Sequence, residues 1–427
     1  MRPSDSTNTP TRRDFLMTSG RAAAAAGVAA MTARTATGAE GKPLRIGLIG
    51  CGRRGLGAVR NCFDADPDVT LVAAGDLFGD HMADAREKLA AMGDRVKLDD
   101  SSCFTGFDAG DRVIASDVDI VLMCQPPAFR PAHLRAAVEA GRHVFMEKPA
   151  AVCPAGVRSI METAKLADKK GLSIVAGTQR RHQKPYQEII RRIQDGAIGE
   201  IVSAACYWIG DFGYYPAVLR KEGWSDVEWQ IRNWNYFTWL SGDHIVEQHL
   251  HNLDVINWIM GAPPVKCLGM GGRQQRTGPE YGHIFDHFAV EYEYPGGVRV
   301  QSLCRQMENT DNRVTEYVAG TLGSAVPGNA IQGKNKYVFK GDQTDPYVQE
   351  HADLIACIRA NKPVNEAHGL AESTLTAIMG RMSAYTGQEV TWKWALEKSE
   401  LDLTPKALSF GELAVPPVAV PGVMKLA

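Results

Sequence analysis

Between residues 44 and 177, short apolar runs alternate with stretches whose apolar residues recur at helical spacing. Leu44 to Gly50 is an apolar run ending in glycine, Gly55 to Phe63 reads as a helix, and Val69 to Gly75 is a second run that stops at Asp76. A strand, a glycine turn, a helix and a strand make one βαβ unit. The alternation continues with a helix around His81 to Met92, a strand Val118 to Cys124 and a helix Pro131 to Ala140. A strand His143 to Glu147, a helix Gly156 to Lys169 and a strand Ser173 to Gly177 complete it. Such a pattern predicts a parallel sheet with helices on both faces.

The pattern changes near residue 179. One helix, Tyr186 to Gln194, leads into β-rich segments at Glu200 to Trp208, Val265 to Gly271, Asp286 to Tyr294, Val298 to Arg305 and Arg313 to Ala319. Glu293-Tyr294-Pro295-Gly296-Gly297-Val298 reads as a hairpin turn, so the second sheet is expected to be large, open and mostly antiparallel. Pro346 to Ala360 and Leu370 to Thr386 read as helices, and the Pro- and Val-rich end after Thr404 as an ordered arm or a loose tail. The expected divisions are 42–178, 179–390 and a C-terminal arm over 391–427.

Charge narrows the partners. The 427 residues carry 47 Lys and Arg against 49 Asp and Glu, a formal net charge of −2. No basic stripe suggests a nucleic-acid groove and no polybasic run suggests an anionic membrane surface, so a small-molecule ligand is expected. The nine cysteines are scattered, odd in number and without a CxxC pair, which is neither a disulfide framework nor a zinc site. Several sit inside apolar runs, as reduced thiols do.

The N-terminus points elsewhere. Thr11-Arg12-Arg13-Asp14-Phe15-Leu16, the small-residue stretch Ala22 to Met31 and Thr37-Gly38-Ala39 together resemble a twin-arginine signal peptide over 1–39. The alternative is a disordered terminus with a chance Arg pair; the apolar run is too short to span a bilayer. Twin-arginine export carries folded proteins, which reconciles reduced cysteines with a periplasmic address.

Gly50-Cys51-Gly52-Arg53-Arg54-Gly55 fits G-x-G-x-x-G at the junction of a strand and a helix. Its glycines permit a tight turn and close approach of a pyrophosphate to the helix N-terminus. Asp76, ending the second strand, is placed to bond ribose hydroxyls and to repel a 2′-phosphate. The expected cofactor is NAD; Arg53 and Arg54 leave NADP as the lesser alternative, and a plain tight βα turn remains a third. The fold class is α/β, with an N-terminal Rossmann domain and a C-terminal α+β domain. Gln125, just past the third predicted strand, joins the cofactor-side candidates.

Val144-Phe145-Met146-Glu147-Lys148-Pro149-Ala150 follows the next strand and resembles the E-K-P signature of the Gfo/Idh/MocA oxidoreductases. Together with the nucleotide loop and a downstream acid and histidine, the resemblance covers about residues 44 to 390. It implies that Lys148 lies beside the nicotinamide and the substrate carbinol, that Pro149 sits on the bend aiming it, and that Glu147 serves the cofactor side. Independently, a lysine at the carboxyl end of a parallel strand faces the crevice where ligands bind, where burial can bring it into proton-transfer range. The alternative is an ordinary surface lysine.

Residues 242–254, Gly-Asp-His-Ile-Val-Glu-Gln-His-Leu-His-Asn-Leu-Asp, are the richest segment. On a continuous helix His244, Glu247, His251 and Asp254 fall at i, i+3, i+7 and i+10, along one face expected to line a cleft. The resemblance matches Glu247 and His251 to an acid four positions before a catalytic histidine, with His251 taking the carbinol proton. Two departures stand out: the family's dehydrogenases usually have Asp at Glu247 and commonly Gly at His249. NAD-dependent glycosidases that resemble the family place a histidine near His249. Metal binding by His244, Glu247, His249 and His251 and plain core histidines are the alternatives; no metal is assigned.

Arg180 and His182, in the loop after the last Rossmann strand, and Trp234, His249 and Asp254 are the substrate-binding candidates; Arg180 and Arg181 could equally brace the domain junction. Trp224, Trp229, Trp234, Tyr236, Phe237 and Trp239 form an aromatic stretch suited to a pyranose or to a subunit interface. The resemblance implies pairing through the open sheet into a dimer or tetramer.

Export constrains the reaction, because free NAD is scarce outside the cytoplasm and a closed redox cycle is favoured. One cycle oxidises a sugar carbinol and reduces a second carbonyl on a tightly held cofactor, as in the glucose–fructose oxidoreductase branch. The alternative is glycoside hydrolysis by transient oxidation, elimination, hydration and re-reduction, a route unlike the usual carboxylate pair. A binding protein that kept the Rossmann domain is a third reading, against which Lys148 and His251 count.

Overall fold

The computed structural model describes residues 43–210, 216–405 and 408–427. The export segment expected over 1–39 lies outside them. Among the described residues no helix is long and apolar enough to cross a membrane, and all nine cysteines are free.

The first sheet contains β1 (Leu44–Ile49), β2 (Val69–Asp76), β3 (Cys103–Thr105), β4 (Ile120–Met123), β5 (His143–Met146) and β6 (Ile174–Ala176), in the order β3-β2-β1-β4-β5-β6. Every pairing is parallel. Because helices cover both faces, the strands bury side chains on both sides; all four residues of β4 are buried. The carboxyl ends of β1 and β4, on either side of the point where strand order reverses, flank the crevice where such sheets bind ligands.

The second sheet contains β7 (Ile201–Gly210), β8 (Lys266–Gly272), β9 (His287–Tyr294), β10 (Val298–Gln306), β11 (Arg313–Gly320), β12 (Gly323–Val326), β13 (Ala330–Gly333), β14 (Tyr337–Val338) and β15 (Val390–Thr391), ordered β14-β13-β12-β11-β7-β10-β9-β8-β15. Only β7 and β10 run parallel among the described pairs. The β9–β10 hairpin turns at Gly296 and Gly297, both at positive φ (82° and 79°), which glycine adopts without a Cβ clash.

One face of this sheet packs on the helix Ala367–Thr386. Gly380 there has no side chain, so the Tyr292 hydroxyl can approach and donate to Thr376 O at 3.0 Å. The opposite face leaves Met270 73%, Leu268 53% and Tyr317 44% exposed. Helix Pro346–Arg359, late in the chain, packs Leu354 and Ile355 into the core of the first domain. The terminal segment is fixed in place: Gly422 N–H donates to Thr386 O at 2.9 Å and Ser399 Oγ to Ala427 O at 2.6 Å.

Candidate functional site

The glycine loop shows why its residue types are needed. Gly50, at φ +89°, would put a Cβ 2.5 Å from Gln125 N, and Gly55 would put one 2.0 Å from Gly50 O. Among the described residues Gly52 has nothing within 4 Å of the same position, which leaves that face open. Turn, open approach and helix packing are thus divided among three glycines, at the N-terminus of the helix Arg53–Ala65 with its unsatisfied N–H groups.

A cleft of about 540 Å³ starts at this loop and follows the carboxyl ends of the parallel strands. Gly50, Gly52, Arg53, Arg54, Asp76, Gln125, Glu147 and Lys148 line it. Asp76 accepts the N–H of Cys51 at 2.8 Å and of Phe78 at 3.0 Å. A carboxylate has further lone pairs for a ligand hydroxyl. Gln125 Nε2 bonds His133 Nδ1 at 3.0 Å, whereas its buried Oε1 has no hydrogen-bond partner among the described residues. An orphaned acceptor in an open cradle fits a ligand carrying amide or hydroxyl donors.

Arg54 is committed elsewhere. Its guanidinium pairs with Glu147, with Glu350 at 2.9 Å and with Asn61 at 3.1 Å. Burial works against the Glu147 charge, but Arg54 and Lys148 prevail and lower its pKa. Burial and then the Glu147 charge raise Glu350 well above the carboxylate range. Gly177 makes room for this carboxylate, since a Cβ there would lie 2.6 Å from Glu147 Oε2. Arg130, buried beneath, donates to Pro149 O at 2.6 Å and Gln125 O at 2.7 Å, tying the two loops together. The Lys148–Pro149 peptide bond is cis.

From the second domain come Trp208, Trp234, Glu247, Gln248 and His251. Lys148 Nζ donates to Glu247 Oε1 at 2.8 Å and also to Glu247 O. The His251 ring lies against Trp208, with centroids 5.9 Å apart and planes at 23°. Burial, and secondarily the positive charges of Lys148 and Arg180, push the His251 pKa well down. A neutral imidazole near neutral pH can accept a proton.

The single helical face expected over 242–254 is interrupted. Helices His244–Glu247 and Leu250–Met260 are separated at Gln248 and His249, where His249 N–H reaches back to His244 O at 3.1 Å. That wide turn inserts a residue into the helical count and sends the polar side chains to different places. Glu247 and His251 meet at the cleft. His244 turns to Asp243 at 3.0 Å, and Asp254 to Arg181 at 2.8 Å. His249 bonds Ser302 Oγ at 2.7 Å in the core, where burial, His244 and Arg180 lower its pKa to about 3. Upstream, buried Asp243 sits at φ 78° and accepts Phe285 N–H at 3.0 Å, which fixes the start of the turn.

The loop candidates Arg180 and His182 are not brought to the cleft either. Arg180 pairs with buried Glu316, and His182 with Asp353 at 2.6 Å and Glu366 at 3.5 Å. Burial opposes His182 protonation, but Glu366 and Asp353 outweigh it and lift the pKa to about 10. Of the substrate-side candidates only Trp234 lines the cleft. Most of the aromatic stretch forms a core of its own, in which Trp229, Tyr236, Phe237 and Trp239 are buried with Phe78. Neither a sugar platform nor a subunit interface accounts for those four rings.

Sequence reasoning missed Trp208 and Gln248 as cleft residues and Glu350 behind them. Trp208 ends an apolar strand run and so could have been suspected. Glu350 lies far along the chain with no local motif to mark it. Among the described residues no group of three or more His, Cys, Asp or Glu side chains is arranged to hold a metal ion.

Comparison with known proteins follows the same two-domain division. The oxidoreductase family with an NAD-binding Rossmann fold, Gfo/Idh/MocA, matches residues 44–177, and the Gfo/Idh/MocA C-terminal domain matches residues 186–326. The 2,7-anhydro-N-acetylneuraminate hydratase of Escherichia coli K12 is 26% identical over 44% of this chain and 46% of its own length. The D-glucoside 3-dehydrogenase of the same organism is 26% identical over 53% of this chain and 56% of its own. The chain thus spans about half the length of these curated relatives. The myo-inositol 2-dehydrogenase structure from Lactobacillus plantarum superposes with a TM-score of 0.63 at 21% identity, over 82% of this chain and 99% of that one. It shares the fold.

Proposed function

The chain belongs to the Gfo/Idh/MocA oxidoreductase family, and from that premise we propose that it is an NAD-dependent oxidoreductase taking hydride from a carbinol of a sugar or sugar derivative. The observation that carries this reading is the meeting of Lys148, Glu247 and neutral His251 in the cleft that begins at the glycine loop.

Gly50, Gly52 and Gly55 with the helix N-terminus would hold the pyrophosphate, Asp76 would take the ribose hydroxyls, and Gln125 Oε1 would offer the cofactor an acceptor. The Asp76 charge favours NAD over NADP by repelling a 2′-phosphate, and no cation is left for that phosphate at Arg54, whose donors go to Glu147, Glu350 and Asn61. A nicotinamide bound there would supply the acceptor for the hydride of the carbinol carbon. Lys148 hydrogen-bonds the carbinol oxygen, Glu247 orients the Lys148 ammonium, and His251 receives the hydroxyl proton as the carbonyl forms. Trp208 and Trp234 offer apolar faces to a sugar ring beside these polar groups.

The redox-neutral glycosidase route draws on a histidine at His249, with His182 as a further substrate-side candidate. Both histidines lie outside the cleft in ion-paired or core positions, which favours the dehydrogenase-type reaction. The D-glucoside 3-dehydrogenase relative supports a carbohydrate substrate. Residues 1–39 support twin-arginine export, and the open apolar face at Leu268, Met270 and Tyr317 supports a dimer or tetramer. The test is to load the purified protein with NAD and offer a panel of sugars and glycosides. Reduced dinucleotide should form with at least one; none with any sugar would overturn the reading.

A further inference from the structure

We propose that the C-terminal arm, through Phe410, completes the adenosine subsite and slows departure of the dinucleotide. This rests on the reading of the cleft as a dinucleotide site. If Asp76 takes the ribose hydroxyls, the base lies on the side of Phe78, two residues further on, and Phe107, and both rings line the cleft. Phe410 stacks on Phe78 at 6.1 Å and 22° and tilts against Phe107 at 5.0 Å and 58°. Phe410 is 49% exposed and packs behind two rings that line the cleft.

The arm is tied down beside that ring. Leu413 N–H donates to Asp226 Oδ2 at 3.0 Å, Gln230 Nε2 to Leu413 O at 2.6 Å, and Val227 N–H to Gly411 O at 3.2 Å. The same helix, Asp226–Arg232, sends Arg232 over the Phe78 ring at 3.8 Å and onto Asp80 at 2.9 Å. Two segments distant in sequence thus converge on Phe78. A flat heteroaromatic base in the cleft meets Phe107 and Phe78, rings that Phe410 backs and holds in place, and a base–aromatic contact of this kind is of the order that alanine substitution removes. With export as proposed above, slow release keeps the cofactor in place while a second carbonyl compound takes the hydride back.

The experiment uses the full chain loaded with NADH and chased with excess NAD, reading release from the fluorescence of the protein-bound reduced nicotinamide. Phe410→Ala should release NADH about tenfold faster than the parent, and Phe410→Trp should stay slow. Asp226→Ala, which removes the acceptor for Leu413 without touching the ring, should also accelerate release. Equal rates in Phe410→Ala and the parent would overturn the arm's role while leaving the dinucleotide site intact. A parent that binds no NADH at all would instead overturn the reading on which this rests.

Discussion

The loop Gly50–Gly55 and the segment 242–254 carry the two halves of the candidate site, and they obey different rules. In the loop, backbone demands decide the residues: a Cβ at Gly55 would sit 2.0 Å from Gly50 O, so the motif reports its own geometry. In the second segment the backbone departs from a regular helix, and destination depends on partners far away, such as Ser302 for His249 and Arg181 for Asp254. Local steric need is legible in a short motif. Long-range polar satisfaction is not.

The comparison is broken most forcefully by removing the chemistry while sparing the loop. Lys148→Ala or His251→Ala should lower sugar oxidation by about 100-fold or more, the range for a positioned proton-transfer group, while NADH binding persists. Steady-state rates beside a binding titration check this, and wild-type rates in both variants would sink the assignment. Because burial and neighbouring positive charge push the His251 pKa down, the acid limb of the parent's rate profile should lie below the ordinary imidazole range.

A smaller effect is expected at Asp76, where the loop meets the ribose. Asp76→Ala should weaken NAD by about tenfold and narrow the gap to NADP, since charged hydrogen bonds and a like-charge repulsion are both lost. Unchanged affinities for both nucleotides would count against the ribose contact.

The smallest effect concerns stability at the domain junction. Glu366 and Asp353 raise the His182 pKa over the opposition of burial. A group raised in the folded state contributes fully below its unfolded pKa and loses that contribution as pH rises through the folded value, here about 10. The Tm of the parent should therefore fall between neutral pH and pH 10 by more than that of His182→Gln. Parallel Tm profiles would contradict the ion-pair account.

The same contrast explains what could be read beforehand. Alternating apolar runs give β1, β2, β4, β5 and β6, because buried parallel strands are continuous apolar runs; three-residue β3 and the short strands β12 to β15 carry too little pattern to register. Asp76 and Lys148 follow from strand ends, where any side chain faces the crevice. Glu247 and His251 were found through a resemblance, though the geometry that joins them differs from the continuous helix their spacing suggested. His182 and Arg180 were candidates by their place after the last Rossmann strand and the buried tryptophans by composition, and neither place nor composition distinguishes a side chain that meets a ligand from one that pairs or packs inside the protein. The helix bearing Glu350 packs back on the first domain from late in the chain, a contact no local window contains.

The central claim is that a sugar carbinol gives up hydride beside Lys148 and His251. Its most direct test is a single turnover of the NAD-loaded protein with the sugar that reacts, deuterated or not at the oxidised carbon, in the parent and in Lys148→Ala. The account predicts transfer of the deuterium to the dinucleotide, slower with the labelled sugar, and little or none in the variant although NAD remains bound. Reduced dinucleotide without the label, or parental rates in the variant, would contradict it.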